Sequence, residues 1–324
     1  MSSTRPTVSV LMPCHNEERY IAQALESLID DYCLKNCEII VVDGMSEDRT
    51  QDIVNSLIKK GLPIRLFRNK KKLQVHGLNL ALAKAKGEIV VRADAHCLYP
   101  PEYIKRCVEL LKTKDVSNVG GIMLPKGEKT VQKAIALALR HPVGVGDAKW
   151  HLGNYSGNTD TVYLGIFRKE LFDDVGFYDP NSHPNEDAEL NLRIRKSGGK
   201  VYLDSSLQVT YFPRESLREL AIQYFKYGRG RCYTTLKHRK MTSYRQIAPI
   251  LLVLALFFSI LLSFFQPLFL LFPLSYLLVV FLTSQLSWPR QSISFKQRIL
   301  TGLAFLIMHT SWGTGFLSRL IFRR

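Results

Sequence analysis

Short apolar runs alternate with amphipathic segments along the first two thirds of the chain. Four short runs are predicted to be strands: residues 7–12, 37–43, 63–67 and 89–91. Between them, apolar residues recur at helical spacing in three segments: residues 20–28, 51–60 and 75–85. Strands that alternate with helices predict an α/β fold whose sheet is mostly parallel and covered on both faces.

The next part of the chain is less regular. A strand is predicted over residues 161–167, and a helix over residues 186–196, which a Gly-Gly pair ends. Residues 216–227 form a predicted amphipathic helix, because Leu217, Leu220 and Tyr224 share one side of it.

Two segments after Arg245 are apolar and nearly free of charge: residues 247–265 and 268–282. The Gln266-Pro267 turn between them predicts a helical hairpin that crosses a bilayer twice, although the second segment is short against the usual range of about 17–25 residues. Residues 299–317 are diluted by polar residues and glycines, and they fit an interfacial or re-entrant segment or a third span. The expected domains are a catalytic domain, an amphipathic basic segment and a membrane domain of two to three hydrophobic segments: residues 1–215, 216–245 and 246–324.

Charge supports a membrane location. The net charge is +16, and many positive residues precede the apolar tail: Arg214, Arg218, Lys226, Arg229, Arg231, Lys237, Arg239, Lys240 and Arg245. Such residues indicate the cytoplasmic flank of a membrane segment, so we expect membrane lipids and no nucleic acid as partners. Because the first six residues are polar and unlike a signal peptide, the catalytic domain should face the cytoplasm from a multi-pass position in the inner membrane. The six cysteines lack zinc-type spacing and should be reduced packing residues.

Polar residues follow three of the predicted strands. Asn16, Asp43 and Asp94 each lie at or just beyond a strand end, and the carboxyl ends of parallel strands form the usual ligand-binding edge. Asp94 and His96 are two residues apart, so both side chains can reach one ion. A carboxylate and an imidazole suit Mn²⁺ or Mg²⁺ when phosphate oxygens complete the coordination. A polar strand end with a buried, hydrogen-bonded histidine is the alternative.

Five segments together resemble the family-2 glycosyltransferases, which have the GT-A fold with a Rossmann-like sheet. They occur in order over residues 8–199: "VSVLMPCHNEERYI", "EIIVVDGMSEDRT", "GLNLALAKAKGEIVVRADAH", "VYLGIFRKELFDDVGFYD" and "NEDAELNLRIRKSGG". The "RADAH" form, "YGRGR" further on and the apolar tail are most similar to the succinoglycan-biosynthesis glycosyltransferases, an exopolysaccharide group.

The resemblance implies a nucleotide-sugar site. Pro13, Asn16 and Glu17 would line the nucleotide, and Asp43 would accept hydrogen bonds from the uracil or the ribose. A turn or helix-capping role is the alternative for Asp43. Ser46, by the same reasoning, belongs to the cap of the next helix.

The family's metal motif, Asp-x-Asp, corresponds to Asp94 and His96, with histidine in the second place. The polypeptide N-acetylgalactosaminyltransferases are similar in this respect, so the expected cofactor is Mn²⁺ or Mg²⁺, which would neutralise charge on the departing diphosphate. The base for the acceptor hydroxyl corresponds to Asp187, beside Glu186, and a single base without a nucleophile implies inversion. A helix N-terminus favours carboxylates for its own reasons, which is the alternative for this pair.

Arg229 and Arg231 in "KYGRGR" correspond to basic residues that contact the diphosphate in related membrane enzymes. Binding of lipid headgroups is the alternative. The Gln-x-x-Arg-Trp motif of processive synthases is missing from the sequence. One sugar should therefore be added per cycle.

The expected function is a membrane-bound inverting transfer of a hexose, with glucose as the best guess, from a UDP-sugar to a hydroxyl of a saccharide linked to polyprenyl diphosphate. One alternative is a polyprenyl-phosphate monosaccharide synthase, whose anionic acceptor needs no base. A second is a membrane-anchored nucleotide-sugar-binding protein with a degenerate site. A nicotinamide dehydrogenase is excluded, because no glycine-rich turn follows the first strand.

Overall fold

The structure is a computed structural model that describes residues 6–241, 243–289 and 292–322. The described residues divide into two compact units, which are treated separately below. Unit 1 comprises residues 6–124 and 153–211, and unit 2 comprises residues 125–152 and the described residues from 212 onward. Residues 125–152, which the sequence analysis assigned to the catalytic domain, thus belong with the C-terminal helices. The functional boundaries at 215 and 245 stay a prediction.

The described residues contain nine strands: β1 (Val8–Cys14), β2 (Cys37–Asp43), β3 (Ile64–Arg68), β4 (Ile89–Arg92), β5 (Cys97–Leu98), β6 (Asn118–Pro125), β7 (Gly157–Asn158), β8 (Tyr163–Arg168) and β9 (Val201–Tyr211). The helices are α1 (Ile21–Leu28), α2 (Asp31–Asn36), α3 (Thr50–Lys59), α4 (Gln74–Lys84), α5 (Tyr103–Thr113), α6 (Thr130–Leu139), α7 (Pro142–Val145), α8 (Lys149–Leu152), α9 (Leu171–Val175), α10 (Glu186–Lys196), α11 (Leu217–His238), α12 (Ile247–Ser263), α13 (Leu271–Leu286) and α14 (Phe295–Phe322). Single 3₁₀ turns occupy Pro180–Ser182, Tyr244–Gln246 and Pro267–Leu270.

The strands of unit 1 form one mixed sheet with the order β3-β2-β1-β4-β8-β6-β9-β5, and β7 pairs with β9. Strands β3, β2, β1 and β4 are parallel, with Val8 opposite Cys37 and Leu11 opposite Arg92. Strand β8 runs antiparallel to both β4 and β6, and β9 is antiparallel to β5 and β7. The predicted α/β fold is confirmed, but "mostly parallel" describes only the half of the sheet formed by the first four strands.

The core of unit 1 explains why the first elements were predictable. Every residue of β1, β2 and β4 is buried, because helices cover both faces of the sheet. The apolar side of α1 is also buried, including Ile21 and Leu25 at 0% exposure. Burial of such a side chain contributes about 1.5–3 kcal/mol each. The six cysteines are free and buried, as expected for packing residues.

In unit 2, α14 packs along α11 and against α6, α12 and α13. Glycines allow α11 and α14 to approach closely: a Cβ on Gly228 would lie 2.0 Å from the Trp312 carbonyl oxygen, and one on Gly315 would lie 2.1 Å from that of Phe225. Phe305 and Phe316 of α14 are buried in this packing. Helix α11 extends from Leu217 to His238 and is much longer than the predicted 216–227. Helix α14 is continuous from Phe295 to Phe322.

Helices α12 and α13 and the turn between them present many exposed apolar side chains, and Phe264 and Phe265, directly after α12, are 82% and 85% exposed. Within the described part of the chain, one segment is long and apolar enough to cross a membrane, Pro267–Leu286, with a mean hydropathy of 2.0. Helix α12 is apolar but has only 17 residues. The predicted pair of crossings stays a prediction.

Candidate active site

The loops after β1 and β2 are joined by hydrogen bonds into one wall of the site. The backbone N–H of Asn16 donates to Ser46 Oγ at 2.9 Å, and the N–H of Glu47 donates to Asn16 Oδ1 at 2.9 Å. Asn16 has a φ of +55°, a left-handed conformation that asparagine tolerates well. Pro13 is buried within β1 and packs close to Gly77 of α4.

Asp43 is fully buried at the end of β2, and both of its carboxylate oxygens accept hydrogen bonds from within the chain. The donors are the N–H of Ser46 at 3.0 Å, the Ser46 hydroxyl at 2.5 Å and the Gln51 side chain at 2.7 Å. This is the turn role that the sequence analysis kept open. Contact with a nucleotide stays a prediction.

Burial and the neighbouring Asp43 raise the pKa of the Cys14 thiol, so Cys14 is not a thiolate nucleophile.

The segment after β4 holds Asp94 in a defined position. The backbone N–H of Asp94 donates to Tyr99 Oη at 2.7 Å, and that hydroxyl donates to the Asp94 carbonyl at 3.0 Å. Gln74 of α4 donates from Nε2 to Asp94 Oδ1 at 3.2 Å. His96 packs edge-on against Tyr211, with ring centroids 5.3 Å apart.

Arg92, the last residue of β4, lies among three carboxylates although its side chain is only 6% exposed. Its guanidinium is 3.6 Å from Asp94, 3.4 Å from Glu186, and contacts Asp187 directly. A buried guanidinium requires such partners, since an unpaired buried charge is strongly unfavourable. Arg92 therefore brings the predicted metal-binding segment and the predicted base to one place.

The two carboxylates at the start of α10 have opposite pKa shifts. Burial raises the pKa of Asp187 to about 6; Arg92 opposes this shift, and the charges of Glu186 and Asp94 add to it. Burial would also raise the pKa of Glu186, but His183, whose Nδ1 lies 3.3 Å from Glu186 Oε2, and the charge of Arg92 leave it below its ordinary value. Glu186 thus stays ionised at neutral pH, whereas Asp187 takes up a proton as the pH falls through about 6.

Helix α10 is anchored behind these carboxylates by a buried amide network. Asn191 accepts from Asn118 Nδ2 at 2.6 Å and donates to Thr161 Oγ1 at 2.9 Å. On the same helix, Arg193 pairs with Glu189 at 2.8 Å and donates to the Phe177 carbonyl at 2.8 Å. The N-terminal turn of α10 is therefore held at the carboxyl edge of the sheet.

The structure brings together two groups of the residues that the sequence singled out. Asp94, Glu186 and Asp187 meet at Arg92, and Glu17 contacts His96 at 2.9 Å. Arg229 and Arg231 lie on α11 of unit 2, where Arg229 donates to Ser318 at 3.4 Å, and their contact with a diphosphate stays a prediction.

Sequence reasoning missed two residues of this site. Arg92 ends an apolar strand, and a charge in a wholly buried run is a signal that could have been read. Tyr178 is 2% exposed, its hydroxyl has no hydrogen-bond partner among the described residues, and its pKa is raised by burial and by Asp187. Nothing in the sequence pattern marks Tyr178.

No group of three or more His, Cys, Asp or Glu side chains with metal-site geometry occurs in the described residues. Asp94 and His96 are two such side chains. A cation bound by Asp94 and His96 would therefore need further ligands from a bound molecule.

The model of glycosyl transferase family 2 matches residues 9–176. The chain belongs to glycosyl transferase family 2. The matched range contains Asp94 and His96 and ends before α10. This family 2 glycosyltransferase is 32% identical over 318 residues to the succinoglycan biosynthesis protein ExoA of Rhizobium meliloti (strain 1021), covering 97% of this chain and 96% of that protein.

A second relative is a dolichyl N-acetyl-alpha-D-glucosaminyl phosphate 3-beta-D-2,3-diacetamido-2,3-dideoxy-beta-D-glucuronosyltransferase of Methanococcus voltae. It is 27% identical over 229 residues, which are 68% of this chain and 71% of that protein.

Solved structures show the same fold as this family 2 glycosyltransferase. The mannosyltransferase PcManGT of Pyrobaculum calidifontis, in complex with GDP-Man and Mn²⁺, superposes with a TM-score of 0.60 at 20% identity, covering 96% of this chain and 88% of that one. GalNAc-T7 with UDP, GalNAc and Mn²⁺ gives a TM-score of 0.51 at 17% identity, covering 71% and 48%. The expected GT-A fold and glycosyltransferase activity are confirmed.

Proposed function

We propose that this enzyme transfers one hexose, with inversion, from a UDP-sugar to a hydroxyl of a lipid-linked saccharide in exopolysaccharide synthesis. The observation that carries the proposal is the convergence of Asp94 and Asp187 on Arg92, from two elements far apart in the sequence. Asp94 is proposed to lie beside the donor's diphosphate, and Asp187, whose side chain is 32% exposed, is proposed to meet the acceptor. The proposed metal ligand and the proposed base thus both contact one buried guanidinium.

Two side chains near the proposed nucleotide-sugar position suit a divalent cation as ligands. Asp94 offers a carboxylate oxygen, and His96 donates from Nδ1 to Glu17, so the lone pair of the neutral ring is on Nε2. Mn²⁺ or Mg²⁺ held by these two residues and by donor phosphates would neutralise charge on the departing diphosphate. Similar structures that hold Mn²⁺ support this assignment.

The acceptor side is served by Asp187. The acceptor oxygen forms a bond to the anomeric carbon while the bond from that carbon to the diphosphate oxygen breaks, and the hydroxyl proton passes to Asp187. A pKa of about 6 makes Asp187 a stronger base than an ordinary aspartate and leaves it ionised at neutral pH. Because the carbon is attacked once, its configuration inverts.

The acceptor is proposed to be an alcohol on a polyprenyl diphosphate-linked glycan at the inner face of the cytoplasmic membrane. The support is the apolar surface of α12 and α13, the basic residues of α11 and the similarity to a succinoglycan biosynthesis protein over nearly the whole chain. Arg229 and Arg231 are proposed to contact the diphosphate of donor or acceptor.

The test uses the full chain, purified in detergent, with Mn²⁺ and radiolabelled UDP-glucose, UDP-galactose, UDP-GlcNAc or GDP-mannose. Acceptors are membrane lipid extract and, separately, polyprenyl phosphate. We expect label from UDP-glucose in the lipid-linked saccharides of the extract. Transfer to polyprenyl phosphate itself would favour the alternative function of a monosaccharide synthase. Similarity to the dolichol-phosphate mannosyltransferase of Pyrococcus furiosus supports testing that alternative. Tight UDP binding without turnover of any donor would favour a binding protein.

A further inference from the structure

Arg92 is an unusual residue to end a buried strand. It is 5% exposed, and its backbone lies opposite Leu11 in the parallel part of the sheet. A guanidinium in such a place is either a packing element or part of the site, and its contacts distinguish the two.

The contacts join segments that the reaction must coordinate. Asp94 is two residues beyond Arg92, whereas Glu186 and Asp187 come from the first turn of α10. The ion pair with Arg92 is the one ion pair that Asp187 makes within the described residues. The direction of the Asp187 side chain therefore depends on the guanidinium.

Anchoring α10 does not require Arg92. The helix is already held by the Asn191 amide network and by Arg193, which pairs with Glu189 and donates to carbonyl oxygens of the preceding loop. These contacts involve Glu189, Asn191 and Arg193 but not Asp187, so they fix the helix axis without orienting the Asp187 carboxylate.

The charges also favour a role in the site. One guanidinium faces three carboxylates, Asp94, Glu186 and Asp187, so the ionised cluster keeps an excess of negative charge even when His183, 3.3 Å from Glu186, is counted as a second cation. A purely structural pair would be expected to balance its charge. The excess suits a cluster that meets a cation on its Asp94 side while Arg92 holds the carboxylates on the other.

We propose, resting on the function proposed above, that Arg92 is a positioning residue: its buried guanidinium holds the Asp187 carboxylate in the orientation that accepts the acceptor's proton. The planar guanidinium fixes two contacts at once, which a lysine cannot reproduce. Restricting a base to its productive orientation raises the rate of the chemical step without changing donor affinity.

The test compares Arg92→Gln and Arg92→Lys with the matched variants Arg193→Gln and Arg193→Lys, in which the arginine pairs with a different carboxylate of the same helix. UDP release from UDP-glucose, with membrane lipid extract as acceptor, gives kcat and KM, and titration with UDP and Mn²⁺ gives nucleotide affinity. We expect kcat to fall about 100-fold in Arg92→Gln and about 10-fold in Arg92→Lys, with KM and UDP affinity within about threefold of wild type.

A readout that packing would not change is the acid limb of the kcat–pH profile. Loss of the positive charge in Arg92→Gln should move this limb to higher pH, because Asp187 becomes harder to ionise beside Glu186. The Arg193 variants should lower the thermal unfolding midpoint and leave the acid limb unchanged, because Arg193 pairs with Glu189 and not with Asp187.

Wild-type kcat and an unmoved acid limb in folded Arg92→Gln would overturn the proposal. If Arg92→Gln does not unfold cooperatively, Arg92→Lys decides by the same two measurements. Asp187→Asn separates this proposal from the proposed function. Full activity of Asp187→Asn would contradict the proposed function, because Asp187 would then not be the base. An inactive Asp187→Asn variant together with fully active Arg92 variants would contradict only the positioning role of Arg92.

Discussion

The imidazole of His96 donates a hydrogen bond from Nδ1 to Glu17 Oε1 over 2.9 Å. This bond joins the loop after β1 to the segment after β4. A carboxylate partner of this kind fixes the tautomer and the orientation of metal-binding histidines. Glu17, which the sequence analysis assigned to the nucleotide, thereby also controls the direction in which Nε2 of His96 points.

Glu17→Gln should weaken the response to Mn²⁺. An amide holds the ring less firmly and makes it less basic, so the Mn²⁺ concentration for half-maximal activity should rise about 10-fold. Glu18→Gln, in the same loop, should leave it within about twofold. Activity that is insensitive to both a chelator and Glu17→Gln would remove Asp94 and His96 from a metal role.

Asp187→Asn should reduce transfer by about 10²–10⁴-fold, because the amide cannot accept the acceptor's proton. Asp94→Asn should be similarly damaging through the donor side. Asp173→Asn, an exposed carboxylate on α9, serves as the control and should be fully active. Circular dichroism and the thermal midpoint should show that all three variants fold.

The kcat–pH profile should have an acid limb near the Asp187 pKa of about 6. The ionised form is the base, so kcat should fall as pH decreases through 6 and level off above about pH 7. Measurement of kcat from pH 5 to 8.5 at saturating UDP-glucose checks this. A profile that is flat between pH 5 and 7 would contradict a base with a raised pKa.

The strands and helices of the first half could be predicted because pattern and environment agree there. Short, mainly apolar runs mark strands covered on both faces, and α1 begins within one residue of the predicted start. Strand β8 was predicted over residues 161–167, but its antiparallel position beside β4 could not be predicted, since no local signal gives strand order. Helix α11 was predicted too short because α14 covers Gly228 and its neighbours.

For the site, motif spacing identified the carboxylates but not their common partner. Asp94 and Asp187 belong to separate motifs, and only the sheet topology brings them together. Arg92 was assigned no role from the sequence. The internal hydrogen bonds of Asp43 depend on the turn geometry of Ser46, which composition does not determine.

Gly228→Ala should destabilise unit 2. The added Cβ would lie 2.0 Å from the backbone carbonyl oxygen of Trp312. Relief of this clash requires α11 and α14 to move apart, because the clashing oxygen is part of the α14 backbone. We expect a loss of about 1–3 kcal/mol, seen as a lower thermal midpoint in detergent. Leu236→Ala, at a residue of α11 that is 47% exposed, should change it little. Equal midpoints for the two variants would contradict the close packing.

The full chain should sediment with membranes and resist washing with sodium carbonate at pH 11. That treatment releases proteins held by charge alone, so it separates the basic residues of α11 from the apolar surface of α12 and α13 as the cause of attachment. Recovery of the chain in the soluble fraction after gentle lysis would contradict membrane association.

Thr301 and His309 of α14 donate to carbonyl oxygens of Ala134 and Val143, at 3.3 and 2.6 Å, so the last helix closes over a segment from the middle of the chain. The apolar tail is consequently not a detachable anchor. A fragment cut at residue 245 to gain solubility would uncover α6 and the glycine face of α11 and would be prone to aggregate. Biochemistry on this enzyme therefore calls for detergent or nanodiscs from the outset, with affinity tags at the N-terminus.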